Sequence, residues 1–489
     1  MKDNREKTYL YVWVMCFLYV LPLIIANRYV YDDTQRVFYH TAGWALDGRP
    51  LTELLMKLLC DANNFIYDIF PLPLILSVTA YTIAAVKWTE KYFSSSMAVN
   101  IIASFLPLSM PFFLSNLSYR FDCAGFTASV ILLMLPFILR GNIRWKNFLI
   151  SFICVIASMC FYQPTVGLFI GLSLLVAFIA FTEGEKFISD LVSDALAFAA
   201  GCVIYKLVIS EIFVDKQDWR ADANSLVASS ADIARIGAKI KRLLLLCEKF
   251  ARSVGIRQFI IYALIWILGG IVLFMLMKEK KPVLRIATAA IYCVLPAVLF
   301  FASIMPMMAL SASYAVPRQQ SELMILMFLL AYCLAVLSKK YPRTAAVLGF
   351  VAVLFHFSFS YAYGNLMKVQ KEYEGKIVYE MLDEIDALGN DEADEISVWN
   401  EMPYSPVVER TCELMPIYAD MVPGGFDGDG MLGGAIINHY SRKTWSIVDI
   451  SEKDREFMDA NEPFAACDIY EIYLNGNRIC VRFSDDISY

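Results

Sequence analysis

The chain has 489 residues, of which 58% are hydrophobic and only 18% charged. Soluble proteins average about 25% charged residues, so this chain cannot coat a globule of its length. Disorder, nucleic-acid binding and a compact soluble enzyme are set aside. The net charge of −6 joins two unlike parts: residues 364–489 hold 10 Lys+Arg against 26 Asp+Glu, a net of −16, and the remainder has a net of +10.

A membrane-spanning helix needs roughly 20 apolar residues. Eleven segments fit that expectation: 8–27, 69–86, 97–115, 124–139, 147–162, 165–181, 191–213, 257–277, 286–302, 319–337 and 344–362. The pair meeting at Tyr162, Gln163 and Pro164 also reads as one broken segment. The first is a span rather than a cleaved signal peptide, because no small-x-small site follows it. The sequence predicts an all-α polytopic membrane protein, a bundle of about 11 helices over residues 1–363. A small acidic α/β domain over 364–489 follows it.

Orientation follows from basic residues in short loops. The N-terminus carries Lys2, Arg5 and Lys7, and alternate loops carry Lys87 and Lys91, Arg140, Arg144 and Lys146, Lys186, Lys278 to Arg285, and Lys339 to Arg343. The opposite loops hold little beyond Arg120 and Arg318. The expected topology is a cytoplasmic N-terminus, multiple crossings of a cytoplasmic membrane and an extracytoplasmic tail.

Within 214–256, Ile233, Ile236, Ile240, Leu243, Cys247, Phe250 and Val254 recur at helical spacing. Arg235, Lys239, Arg242, Lys249 and Arg252 fall opposite. This amphipathic helix suits a membrane surface and equally a helix packed over the bundle with a solvated basic face. In the tail, 368–388 reads as a helix, 395–400 and 469–483 as strands, and Asn475 and Gly476 as the hairpin turn. Phe426 to Gly430 has only part of a calcium-loop pattern, and a glycine turn explains it better. Nine of the 12 cysteines lie in the apolar body, where they act as small apolar residues. The three histidines are too scattered for a metal centre, so no metal and no cofactor are expected.

The densest polar segment of the body is the loop after the first span: Asp32, Asp33, Thr34, Gln35, Arg36, then Trp44, then Asp47, Gly48, Arg49, Pro50 and Leu51. A carboxylate at the membrane surface beside arginines is a candidate general base. The pair also reads as an acidic helix cap, with Asp47 and Gly48 as a turn. On the same side fall Asn116 to Asp122, including Tyr119, Arg120 and Asp122, then Tyr162 and Gln163, and finally Tyr314 to Arg318. An arginine at the mouth of an apolar bundle is costly unless it meets an anion. A lipid phosphate matches its forked donors.

These patches together resemble the Gtr-type glucosyltransferases, polytopic enzymes that modify O-antigen and related surface polysaccharides. The resemblance rests on Asp32, Asp33 and Arg36, on Trp44, on Gly48 to Leu51, and on the later patches at 116–122, 162–164 and 317–318, in that order. It implies a GT-C-like fold. It also implies transfer of glucose from undecaprenyl-phosphate glucose, a polyprenyl-phosphate-linked sugar donor, to a polysaccharide or lipid-linked glycan acceptor outside the membrane. The assignments are Asp32 or Asp33 as the base, with Asp33 slightly ahead. Arg36, Arg120 and Arg318 would hold the donor phosphate, and Trp44, Arg49, Tyr119, Asp122, Tyr162 and Gln163 the substrates. Trp399, Tyr404 and Trp445 are the tail aromatics able to stack on sugar. Two other readings are a polysaccharide polymerase or ligase and a lipid-linked sugar transporter. The transporter would place charges near the midplane of both halves, whereas these cluster at one face.

Overall fold

The computed structural model describes residues 2–61, 65–214, 230–310, 316–389, 393–424 and 436–484, with side chains from 5 and, in the fifth loop, from 236 onward. The glycine turn at 426–430 and residues 314–315 lie outside them. The chain divides into two compact units. One comprises Met1–Leu21, Ala42–Asp61 and Ile69–Tyr361, and the other Pro22–Thr41, Ala62–Asp68 and Ala362–Tyr489. The first polar loop is thus shared between the two.

The first unit is helical. Among the described residues, nine helices are long and apolar enough to cross a membrane, and Cys123–Leu139 is a shorter apolar helix. This is a membrane protein. Ile325–Ser338 is buried at every position but Leu326, as expected of a helix apolar on all sides. By contrast Ile256–Leu276 turns Ile260, Leu264, Ile267 and Ile271 outward. That apolar stripe recurs at three or four residues and suits lipid rather than water.

The segment expected as one span at 97–115 is instead two short helices, Met97–Phe105 and the fully buried Pro111–Leu117. Proline cannot donate a backbone hydrogen bond and clashes with the preceding turn, and Pro107 and Pro111 bracket the break. Likewise Arg144–Phe161 stops before a 3₁₀ turn at Gln163–Val166, which leads into Gly167–Glu183. The amphipathic helix is present as Ser230–Val254. Its packed stripe runs through Lys239, Leu243, Leu246 and Ser253. Lys239, expected on the solvated face, is buried and donates from Nζ to the Leu310 oxygen, while Ile240 is exposed. The ammonium meets a main-chain carbonyl just beyond the Pro282–Met308 helix, which offsets its burial. Phe250 packs on Phe112 at 5.4 Å between ring centres.

In the second unit the sheet order is β2-β1-β5-β4-β3, from Glu395–Trp399 (β1), Ser446–Ile447 (β2), Ala465–Ala466 (β3), Tyr470–Asn475 (β4) and Arg478–Phe483 (β5). β1 runs parallel to β2 and β5, and the other pairs are antiparallel. Asn475 pairs with Arg478, so the hairpin turn is Gly476 and Asn477, one residue later than expected. Gly476 alone of the two has positive φ, at 67°, which fits a turn with glycine first. Ile377, Met381 and Ile385, four residues apart on the long Pro342–Ala387 helix, join Ile396, Val398, Ile472 and Val481 in the core. Where that helix meets the first, a Cβ on Gly364 would lie 2.3 Å from Pro22 Cβ, so only glycine fits.

Candidate functional site

In the first unit the polar loops meet around Arg49. Gly48 has φ +74°, and its amide closes a turn onto the Ala45 oxygen at 2.9 Å. The Pro50–Leu59 helix starts immediately after, with proline at its first position, where the missing N–H costs nothing. Gln163 fixes this turn. Its Nε2 donates to the Asp47 oxygen at 2.8 Å and to Tyr205 Oη at 2.7 Å, and its Oε1 accepts from Arg49 Nε at 3.3 Å. Tyr205 in turn donates to the Gly48 oxygen at 2.8 Å.

Asp122 accepts from Trp44 Nε1 at 2.7 Å and lies 3.7 Å from Arg49 Nη1. Arg49 stands over the Tyr162 ring at 5.0 Å. Tyr162 donates from its hydroxyl to the Arg318 main-chain oxygen at 2.9 Å, and Arg318 donates from Nη1 to Tyr119 Oη while lying 5.3 Å from that ring's centre. Burial works against the Arg49 charge, but Asp47, Tyr162 and Asp122 outweigh it and the nearby Arg318, and hold its guanidinium above the ordinary value. The Arg49 side chain keeps 23% of its surface exposed, and Arg318 is also partly exposed. Arg120 is buried, stacked on Phe70 at 4.6 Å. The Arg49 guanidinium thus lies over Tyr162 and the Arg318 guanidinium over Tyr119, both partly open to solvent, and forked cations of this kind are able to pair with an anion.

Asp32, Asp33 and Arg36 lie in the second unit, and the other eight candidate residues lie in the first. The three share the Asp32–Tyr39 helix. Asp33 is buried, and its Oδ2 accepts from the Val30 amide at 3.1 Å, so it serves the start of its own helix. Asp32 is partly exposed at the same end, and Arg36 is buried. Tyr31, just before them, adopts φ +47°, an uncommon conformation outside glycine. Of the tail aromatics, Trp445 is 2% exposed in the core, and Tyr404 donates to the oxygens of Ala419 and Val422. Trp399 is flanked by Arg455 and Arg482.

Two residues of the first unit escape sequence reading. Tyr205 opens a π-helical turn, Tyr205–Ile209, inside an apolar span whose sequence carries no mark of the break. Glu322 is wholly buried, and among the described residues neither carboxyl oxygen has a hydrogen-bond partner. The same holds for Gln320 Oε1 and Ser321 Oγ beside it. A lone acid inside an apolar span is the signal that points to Glu322.

Comparison with known proteins gives two matches. The family described as Glucosyl transferase GtrII matches residues 21–337. An uncharacterized 55.3 kDa protein in the gtrB 5' region of Salmonella phage P22 is 24% identical over 493 residues, covering 99% of each chain. No solved structure matches.

Proposed function

Because the chain belongs to the glucosyl transferase GtrII family, we propose that it moves a glucosyl residue from undecaprenyl-phosphate glucose to a cell-surface polysaccharide at the outer face of the bacterial cytoplasmic membrane. The observation that carries the reading is the pair of partly exposed guanidiniums, Arg49 over Tyr162 and Arg318 over Tyr119, linked by the hydrogen bond from Tyr162 Oη to the Arg318 main-chain oxygen. A polyprenyl chain stays in lipid, so its phosphate meets protein at the boundary where such arginines are affordable. In the reaction an acceptor hydroxyl attacks the anomeric carbon, and the bond from that carbon to the phosphate oxygen breaks. The departing polyprenyl phosphate keeps the electron pair, and arginines stabilise its growing charge. Asp32 takes the hydroxyl proton in this scheme, since Asp33 is buried in its helix start. Trp44, Asp122 and Gln163 orient Arg49, and Tyr119 orients Arg318.

The test gives the purified protein labelled polyprenyl-phosphate glucose with membrane polysaccharide, or labelled nucleotide glucose in its place. Label is expected to leave the lipid donor only. General-base catalysis contributes about 10²–10⁴-fold, so Asp32→Asn should slow transfer by about that factor. Transfer from the nucleotide sugar alone would overturn the donor, and a parental rate in Asp32→Asn would remove that residue from the scheme.

A further inference from the structure

The second unit holds a pocket that the scheme above does not use. Arg28, Tyr29, Tyr31, Lys371, Glu374 and Tyr440 are among its lining residues. Its polar component is an ion pair: Arg28 Nη2 lies 2.6 Å from Glu374 Oε1, and the two side chains are 4% and 5% exposed. Arg28 Nη2 also donates to the Pro423 oxygen at 2.6 Å, and Gln370 Nε2 donates to Glu374 Oε1 at 3.0 Å. Beside the pair runs an aromatic row. Tyr29 meets His439 edge-on at 5.5 Å, and His439 meets Tyr440 edge-on at 4.9 Å.

We propose that this pocket binds one neutral pyranose residue of the acceptor glycan. A pyranose has apolar C–H faces and a rim of hydroxyls that donate and accept. Aromatic rings suit the faces, and an Arg–Glu pair offers a donor and an acceptor side by side for the rim. Glu374 offsets the Arg28 charge, and the remaining cation of the lining, Lys371, donates from Nζ to the Asn27 oxygen at 2.7 Å, so the ion pair at the pocket's polar end does not itself select an anion. The pocket is half-open, and its volume of about 40 Å³ holds a few waters at most, so it takes the hydroxyl edge of one ring while the rest lies along the aromatic row. Tyr31 reaches the pocket from the residue before Asp32, in a conformation that costs energy to hold. Such strain collects at ligand sites.

The acceptor assignment rests on the proposed transferase reading, so the test has two arms. In the first, the full chain in detergent is mixed with the methyl α-pyranosides of glucose, galactose and mannose, and saturation-transfer NMR is recorded. At least one glycoside should receive saturation. The signal should vanish in Tyr29→Ala and Tyr440→Ala and persist in Tyr440→Phe, which keeps the ring. His439→Ala changes an exposed residue, so the same loss there covers the case in which a tyrosine variant does not fold. No signal with any glycoside, or a signal indifferent to the alanine changes, overturns the site whether or not transfer is observed. In the second arm, Tyr440→Ala should raise the acceptor KM about ten-fold and leave the donor KM unchanged. A rise in the donor KM alone would give the pocket to the donor sugar and overturn the acceptor assignment.

Discussion

The phenol of Tyr205 donates to the main-chain oxygen of Gly48 at 2.8 Å. A π-helical turn in an apolar helix thereby holds the loop that aims Arg49. A Cβ on Gly48 would lie 2.4 Å from that phenol and 3.1 Å from Gln163 Nε2, at a φ of +74°.

Gly48→Ala should therefore disturb the loop twice, by contact and by backbone strain of about 1–2 kcal/mol. Tyr205→Phe removes hydroxyl bonds that contribute about 0.5–1.5 kcal/mol each, and it also makes room for the new methyl. The two changes share a contact, so their costs should not add. Thermal denaturation of both single variants and the double variant measures the coupling. A double variant as unstable as the sum of the singles would contradict the clamp.

Glu322 is a buried carboxyl with no hydrogen-bond partner among the described residues, four positions after Arg318. An unsatisfied buried polar group costs about 1–3 kcal/mol, and such costs persist where function holds the residue. Glu322→Met should raise the melting temperature of the membrane unit while lowering transfer. The pair of readings is calorimetry and initial rate on the same preparation. A less stable variant with parental activity would show that Glu322 serves folding alone.

The tail sheet should weaken in acid. Burial raises the Asp454 carboxyl, but the Ser451 hydroxyl and amide and the Arg478 guanidinium outweigh it and hold the group below its usual range. Tyr473 and Arg482 do the same for Glu471. A depressed folded value stabilises the fold above the unfolded value, about 4, and that contribution fades as pH falls through the lower folded value. Hydrogen-exchange protection factors in β4 and β5 should be smaller at pH 3 than at pH 6. Asp454→Asn should flatten the difference, and equal protection at both pH values in the parent would contradict the assignment.

Apolar length and charge asymmetry make the membrane body and the acidic tail legible from sequence, because both depend on composition summed over many residues. The strand at Glu395–Trp399 and the hairpin are legible for the same reason, through alternation around a glycine turn. Features set by a single residue in its surroundings are harder to read. Pro107 and Pro111 break one expected span. The one-residue shift of the hairpin turn depends on cross-strand pairing of Asn475 with Arg478. Lys239 lies on the packed stripe because the Leu310 carbonyl receives it. Trp445 is as aromatic as a sugar platform requires, yet it fills the tail core. The polar loops are recognisable by residue type, but the clamp of Gln163 and Tyr205 on Asp47 and Gly48 needs coordinates.

Arg49 and Arg318 are the proposed holders of the donor phosphate, and lysine at each position tests that role. Lysine keeps the charge and loses the forked pair of donors. Hydrogen bonds to charged groups contribute about 1.5–3 kcal/mol, so the apparent KM for polyprenyl-phosphate glucose should rise about ten- to a hundred-fold in Arg49→Lys and in Arg318→Lys. The most direct measurement is that KM in both variants at saturating acceptor. A rise is expected in each, and parental values in both would place the phosphate elsewhere.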